Sequence, residues 1–183
     1  VAYFAALLVR TDKSWQAEEL DLDPIEELDQ LTELAREAAV DEDPVLILLE
    51  QEDTWFAVLR VDGEEDPRIH VSDAAAVARS AYADILLTVD VLGRHLDADV
   101  DDRLVDVPLD GDPETLAEDA DAEDEDDDEP VPAEPAGDAT LLDDFGVSPE
   151  ALVELGGRGT LPAEALAVIA EQLGCADELE AVR

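Results

Sequence analysis

Three stretches of this chain are apolar on both of their alternating faces, and no other feature limits the fold as strongly. They are Ala2–Val9, Val45–Leu49 and Trp55–Leu59. Successive side chains of a strand point to opposite sides of the sheet, so a run that is apolar at both parities must be covered on both sides. A sheet built from these segments cannot leave one face in water.

The punctuation between them predicts hairpins. The run Ala2–Arg10 meets the polar turn Thr11-Asp12-Lys13-Ser14 and continues as Trp15–Leu20. Pro44 precedes Val45–Leu49, and Glu52-Asp53 turns the chain into Thr54–Val61, with Arg68–Val71 as a short edge strand. Asp23-Pro24-Ile25-Glu26 reads as a helix start: Asp23 offers a capping oxygen and Pro24 fits the first turn. Ile25, Leu28, Leu31, Leu34, Ala35 and Ala38 then recur at helical spacing. A second helix is predicted from a Ser72 cap through Val77, Ala81, Ile85, Val89 and Leu92 to Leu96.

The expected fold class is α+β. An N-terminal two-layer α/β sandwich, residues 1–96, is built on two antiparallel hairpins with two helices. Residues 97–137 follow as an acidic disordered linker, and residues 138–183 as a small helical domain. In that last part Ser148-Pro149-Glu150 starts a helix ending at Gly156-Gly157, Thr160-Leu161-Pro162 starts another ending at Gly174, and a short helix runs through Leu179 and Val182. Fewer than 50 residues give marginal independent stability. The two N-terminal helices can cover one sheet face. The other needs the C-terminal helices, a second copy of the chain or a partner protein, and this need is the strongest physical pointer to a binding role.

Charge narrows the partners. The 183 residues hold 52 acids against 10 Lys and Arg, a formal net charge of −42. A chain so acidic repels phosphate backbones, so direct nucleic-acid binding is not expected, whereas basic protein surfaces attract it. GC-rich coding or adaptation to high salt gives a similar composition, since Lys occurs once and Asn and Met are absent. The distribution is uneven, however: residues 97–135 hold 19 acids and one base. That segment has too few large apolar groups to offset the entropy of ordering, and like charges hold it extended.

The residue sets of common catalytic and metal sites are missing. Cys175 is the only cysteine, which rules out an internal disulfide and a cysteine metal cluster, and it reads as a buried inert thiol. His70 and His95 have no helical partner ligand, and no GxSxG, GxxxxGK[ST] or GxGxxG motif is present. The cluster Gly156-Gly157-Arg158-Gly159 joins two helices as a loop. Asp97–Asp102 resembles the start of a calcium loop, but an EF-hand needs glycine at position six and glutamate at position twelve, where Asp102 and Pro108 stand. A helix-turn-helix reading of the C-terminal pair fails on charge, since its reading helix Pro162–Leu173 offers Glu164 and Glu171 and no base. No cofactor or metal is expected, no run approaches a membrane span, and the N-terminal apolar stretch lacks the basic lead-in of a signal peptide; cytoplasm is the expected location. The aromatics Tyr3, Phe4, Trp15, Trp55 and Phe56 are assigned to the core. If one faces outward, Trp15 or Trp55 is the natural protein-interface anchor.

Several segments carry a family likeness. Tyr3-Phe4-Ala5-Ala6, Trp15, Trp55–Gly63, Asp66-Pro67-Arg68, Val71-Ser72-Asp73 with Ala78-Arg79-Ser80, the acidic middle and the ending Leu161-Pro162-Ala163 to Gly174–Asp177 resemble the tRNA adenosine deaminase-associated proteins of high-GC Gram-positive bacteria (actinobacteria). The resemblance implies association with the enzyme that converts adenosine to inosine in tRNA. It does not imply deaminase activity, which needs H-x-E and P-C-x-x-C segments. His70 is followed by Val71-Ser72 and His95 by Leu96-Asp97, and a single cysteine cannot supply the pair. The expected role is therefore a non-enzymatic accessory protein that contacts the deaminase. The competing readings are a homodimer joined through the uncovered sheet face, an acidic chaperone or nucleic-acid mimic acting through 97–135, and a small-molecule enzyme using Asp or Glu pairs.

Overall fold

A computed structural model describes residues 3–11, 14–40, 43–88, 90–92, 131, 133–157 and 159–183. Six strands form one antiparallel sheet in the order β2-β1-β3-β4-β5-β6. They are β1 (Tyr3–Thr11), β2 (Ser14–Glu19), β3 (Val45–Gln51), β4 (Trp55–Val61), β5 (Arg68–Val71) and β6 (Ala136–Gly137). The helices are α1 (Leu28–Ala38), α2 (Ala74–Ala78), α3 (Ala83–Leu86), a 3-10 helix (Ala139–Phe145), α4 (Pro149–Leu155), α5 (Pro162–Leu173) and α6 (Ala176–Ala181). The fold is α+β, as the patterning predicts.

The register explains why both parities of the strands are apolar. Leu7, Ile47, Leu59 and Ile69 lie side by side across four strands, as do Ala5, Leu49, Ala57, Val71 and Ala136. These rows pack under Leu31 and Ala35 of α1, Val77 of α2, and Ile85 and Leu86 of α3. On the opposite face Ala6, Leu48 and Val58 form one row, and Leu8 and Leu46 belong to the next. That face packs under Leu141 and Leu142 of the 3-10 helix, Leu152 of α4, Leu166 and Ile169 of α5, and Leu179 of α6. Of the three covers open to the sequence, the chain's own C-terminal helices are the one observed. The result is helices, sheet, helices: one layer more than the N-terminal sandwich alone.

Three local departures from the expected elements have identifiable causes. The first helix begins at Leu28, about one turn later than Asp23-Pro24 suggests. Asp23 accepts a hydrogen bond from the Tyr3 hydroxyl at 2.8 Å instead of capping, and the Gln30 side chain accepts from the Glu26 amide at 2.9 Å. The helix expected over Ser72–Leu96 is interrupted. Asp73 is its cap, accepting from Ala76 N at 2.8 Å, because Ser72 is held by β4: its amide donates to Phe56 O and its Oγ accepts from Phe56 N, both at 2.9 Å. Ser80 then closes α2 by donating to Val77 O and accepting from Tyr82 N; the stretch predicted past Leu92 lies outside the described residues.

The third departure is at the end of the segment assigned to the linker, where Ala136–Gly137 forms β6 against β5. Gly137 has φ of +95°, and a Cβ there would stand 2.1 Å from Ile69 O, so only glycine fits. Most of the expected linker, 97–130, falls outside the described residues.

Burial of the second face carries a stability consequence. Ile169→Ala removes a fully buried side chain facing the sheet and is expected to cost about 2–5 kcal/mol. Val153→Ala on exposed α4 surface should stay within about 0.5 kcal/mol. Urea denaturation of the two variants measures the contrast, and equal effects would mean that α5 is not docked.

Candidate functional site

Six arginines lie among the described residues, and five of them are engaged inside the molecule. Arg60 and Arg68 face each other directly across β4 and β5, an arrangement that is repulsive unless each is neutralised. Arg60 is clamped by Asp62, with Nε donating at 2.8 and 3.0 Å, and by Asp144 at the end of the 3-10 helix, with Nη2 donating to Oδ2 at 3.0 Å. It also donates to Leu141 O at 2.8 Å. Burial alone would lower the Arg60 pKa, but the Asp144 and Asp62 hydrogen bonds outweigh it and hold the group firmly charged. Arg68 donates to Asp138 at 2.7 Å and to Thr140 Oγ1 at 2.9 Å. Asp138 loses hydration there, but the Arg68 and Thr140 hydrogen bonds dominate and hold its pKa well below the carboxylate range.

The other engaged cations also tie segments together. Arg36 donates to Gly63 O and Glu65 O, binding α1 to the loop after β4. Arg183 pairs with Glu50 and lies 5.2 Å from the Phe4 ring centroid, fastening the chain end to β1 and β3. Arg10 lies over Phe145 and Trp15, while Arg60 covers Phe145 at 4.7 Å. Arg79 is exposed. Positive charge thus works as internal fastening, and the exposed surface is dominated by carboxylates; residues 21–37 alone expose seven.

Trp15 and Trp55, assigned to the core and to an interface only if one faced outward, are both buried. Trp15 meets Phe145 edge-on at 5.4 Å and so holds the 3-10 helix to one sheet face. Trp55 meets Tyr82 at 6.3 Å on the other face, and its Nε1 donates to Gln51 Oε1 at 2.8 Å. Each anchors a covering helical layer of its own chain and presents no exposed ring to a partner.

Neither titratable candidate has the setting of a catalytic group. His70 stands in the row with Ala6, Leu48 and Val58, is 1% exposed, and neither ring nitrogen has a hydrogen-bond partner among the described atoms. Burial pushes its pKa down to about 4, against a smaller opposing effect of Asp138. Cys175 is fully buried, and burial, aided by Glu178, pushes its thiol up to about 11. His95, Asp97–Asp102 and Arg158 lie outside the described residues. Glu164 and Glu171 are exposed on α5, whose opposite side packs on the sheet. Among the described residues no group of three or more His, Cys, Asp or Glu is placed to hold a metal ion, and no helix is long and apolar enough to cross a membrane.

Four parts of the chain meet at one end of the sheet. They are the β3–β4 turn at Asp53-Thr54, the β5–α2 junction at Ser72-Asp73, the stretch before β6 at Ala133, and the α4–α5 connection around Gly156, Gly157, Gly159 and Thr160. They enclose a cleft of about 400 Å³. The model of the Rv3753c-like tRNA adenosine deaminase-associated protein family matches residues 3–176. The chain belongs to this family. No curated protein and no solved structure matches it.

The family match spans the sheet and both helical layers. The segments that carry the resemblance are largely structural: Trp55–Val61 is β4, and Leu161 to Gly174 frames α5. Sequence reading missed the fastening role of Arg60, Arg68, Asp138 and Asp144. A lone arginine ending the apolar run Trp55–Leu59 was the available signal for Arg60, since a charge at that position needs a partner.

Arg60→Met should cost about 1.5–3 kcal/mol, the range for hydrogen bonds to a charged group, read by chemical denaturation. His70 titrates in the folded chain near pH 4, below its ordinary 6.5, so the stability gained from keeping it neutral is full above pH 6.5 and is lost as pH falls toward 4. His70→Leu should therefore lose less thermal stability than the parent between pH 7 and pH 4.5. The difference between the two proteins separates His70 from the general relief of carboxylate repulsion on acidification.

Proposed function

We propose that this chain is a non-enzymatic accessory protein that binds a tRNA adenosine deaminase through its acidic surface in the cytoplasm of a high-GC Gram-positive bacterium. The family description names association with that enzyme. The observation that carries the contact reading is the sorting of charge: five of six described arginines are engaged internally, while carboxylates occupy the outside of a sheet already covered on both faces. An enzyme that handles tRNA presents a basic surface to its substrate, and a net charge of −42 is attracted to such a surface and repelled by the tRNA itself. Occupying or flanking that basic surface would change the enzyme's access to tRNA or its stability.

Catalysis is not part of this reading. His70 is buried in an apolar row and Cys175 is a buried thiol held protonated, so neither offers a reactive group at the surface. An acidic decoy that binds basic proteins indiscriminately through residues 97–135 differs in its dependence on that segment.

Co-elution on a sizing column with the tRNA adenosine deaminase of the same organism tests the proposal. The complex should form at about 0.05 M salt and weaken at least tenfold by about 0.5 M, as screening shortens the reach of exposed charges. A chain lacking 97–135 should keep most of its affinity. Two separate species at low salt would overturn the proposal, and loss of binding with that deletion would favour the decoy.

A further inference from the structure

The two edges of the sheet are not alike. β6 consists of two residues and is preceded by Pro135, which has no amide hydrogen. Short length and proline are common ways of closing an edge to further pairing. β2, at the other end of the strand order, has neither protection. It runs for six residues in one-to-one register with β1, from Thr11 opposite Ser14 to Ala6 opposite Glu19, with no proline and no bulge.

The ladder fixes which main-chain groups of β2 are free. Leu20 N donates to Ala5 O at 2.9 Å. Hydrogen-bonded positions alternate along an antiparallel pair, so Glu18, Gln16 and Ser14 also turn their main-chain groups toward β1. Trp15, Ala17 and Glu19 turn theirs away from it. Among the described residues no main-chain group meets them on that outer side. Both helical layers cover the faces of the sheet, and neither closes this edge.

Charge selects what can pair there. Glu18 and Glu19 are exposed, neither has an ion pair or hydrogen bond among the described residues, and exposed Asp21 follows. No Lys or Arg occurs in residues 14–22. The helix α6, which lies against β2, carries Asp177, Glu178 and Glu180. Arg10 stands opposite Trp15, but its guanidinium is spread over the Trp15 and Phe145 rings. A second copy of the chain would bring the same carboxylates and another net charge of −42, so like charges oppose the joining of two β2 edges.

We propose that the β2 edge receives an extended segment of a basic partner protein as a seventh, antiparallel strand. Main-chain groups of Trp15, Ala17 and Glu19 hold it, lysine or arginine stands opposite Glu18 and Glu19, and a small apolar side chain meets half-buried Ala17 at the border of the second core layer. In strand addition the main chain supplies affinity and the alternate side chains supply specificity. The assignment rests on the protein-contact reading above and gives it a location, and its test is independent of the deaminase.

The probe is an acetylated, amidated peptide ordered lysine, arginine, valine, threonine, valine, threonine, added to the full-length ¹⁵N-labelled chain, with amide hydrogen exchange followed residue by residue. In the free chain the Ala17 and Glu19 amides should exchange fast while those of Gln16 and Glu18 are held by β1. With peptide at ten times its Kd, the Ala17 and Glu19 amides should slow about tenfold, because exchange then proceeds from the small unbound fraction. The same peptide N-methylated at both valines keeps its charge but loses the amides that would face β2, and should give no protection. Glu18→Gln should weaken binding up to about fivefold, the reach of one exposed ion pair, and Glu33→Gln on α1 should leave it unchanged. Ala17 and Glu19 amides already slow in the free chain, no slowing on titration, equal binding of the methylated peptide, or equal affinity of the two variants would overturn the site. Protection that rises with protein concentration and needs no peptide would place a second copy on the edge and overturn the basic occupant. A flat peptide titration with an intact deaminase complex removes the edge site alone, and a failed complex with a saturable titration removes the deaminase alone.

Discussion

The whole structure depends on a sheet that is apolar on both faces. Leu7, Ile47 and Leu59 point one way and Leu8, Leu46 and Leu48 the other, so each face requires its own cover. At roughly 25 cal/mol for every Å² of apolar surface removed from water, an uncovered central sheet would forfeit a large part of the favourable free energy of folding. The chain supplies one cover from α1, α2 and α3 and the other from everything after residue 138. Long-range connections follow from this. Trp15 grips Phe145, Arg60 grips Asp144, and Arg183 returns to Glu50.

Such an arrangement changes what the molecule offers to others. An open apolar face would have invited a homodimer or a partner sheet. With that face occupied in cis, the exposed charged groups among the described residues are mainly carboxylates, because most described arginines are engaged in fastening. The covered sheet and the acidic exterior are thus two consequences of one arrangement: positive charge is used inside, at the joints between layers, and negative charge is left outside.

Much of this was legible in the sequence. The β runs announced themselves by composition, and Ser148, Pro149, Pro162 and Gly174 marked helix ends that the structure reproduces. Asp23 and Ser72 misled because both have tertiary partners, Tyr3 and Phe56, that local pattern cannot reveal. β6 was hidden for a similar reason: two residues of Ala and Gly carry no strand signal, and only the space beside Ile69 and His70 explains them. The cleft was illegible altogether, since it is assembled from four segments distant in sequence. Trp15 and Trp55, weighed as interface anchors had either faced outward, lie buried against the chain's own helical layers.

The central claim is that the helices after residue 138 are a second layer of one core and not an appendage. Native-state amide hydrogen exchange on the full chain tests it most directly, by comparing the β3 amides of Leu46 and Leu48 with those of Leu166, Ile169 and Ala170 in α5. One cooperative core predicts that both groups exchange only through global unfolding, with the same opening free energy and the same response to denaturant. If the α5 amides exchange through a separate, less costly opening while β3 stays protected, the helices are a docked appendage and the account is contradicted.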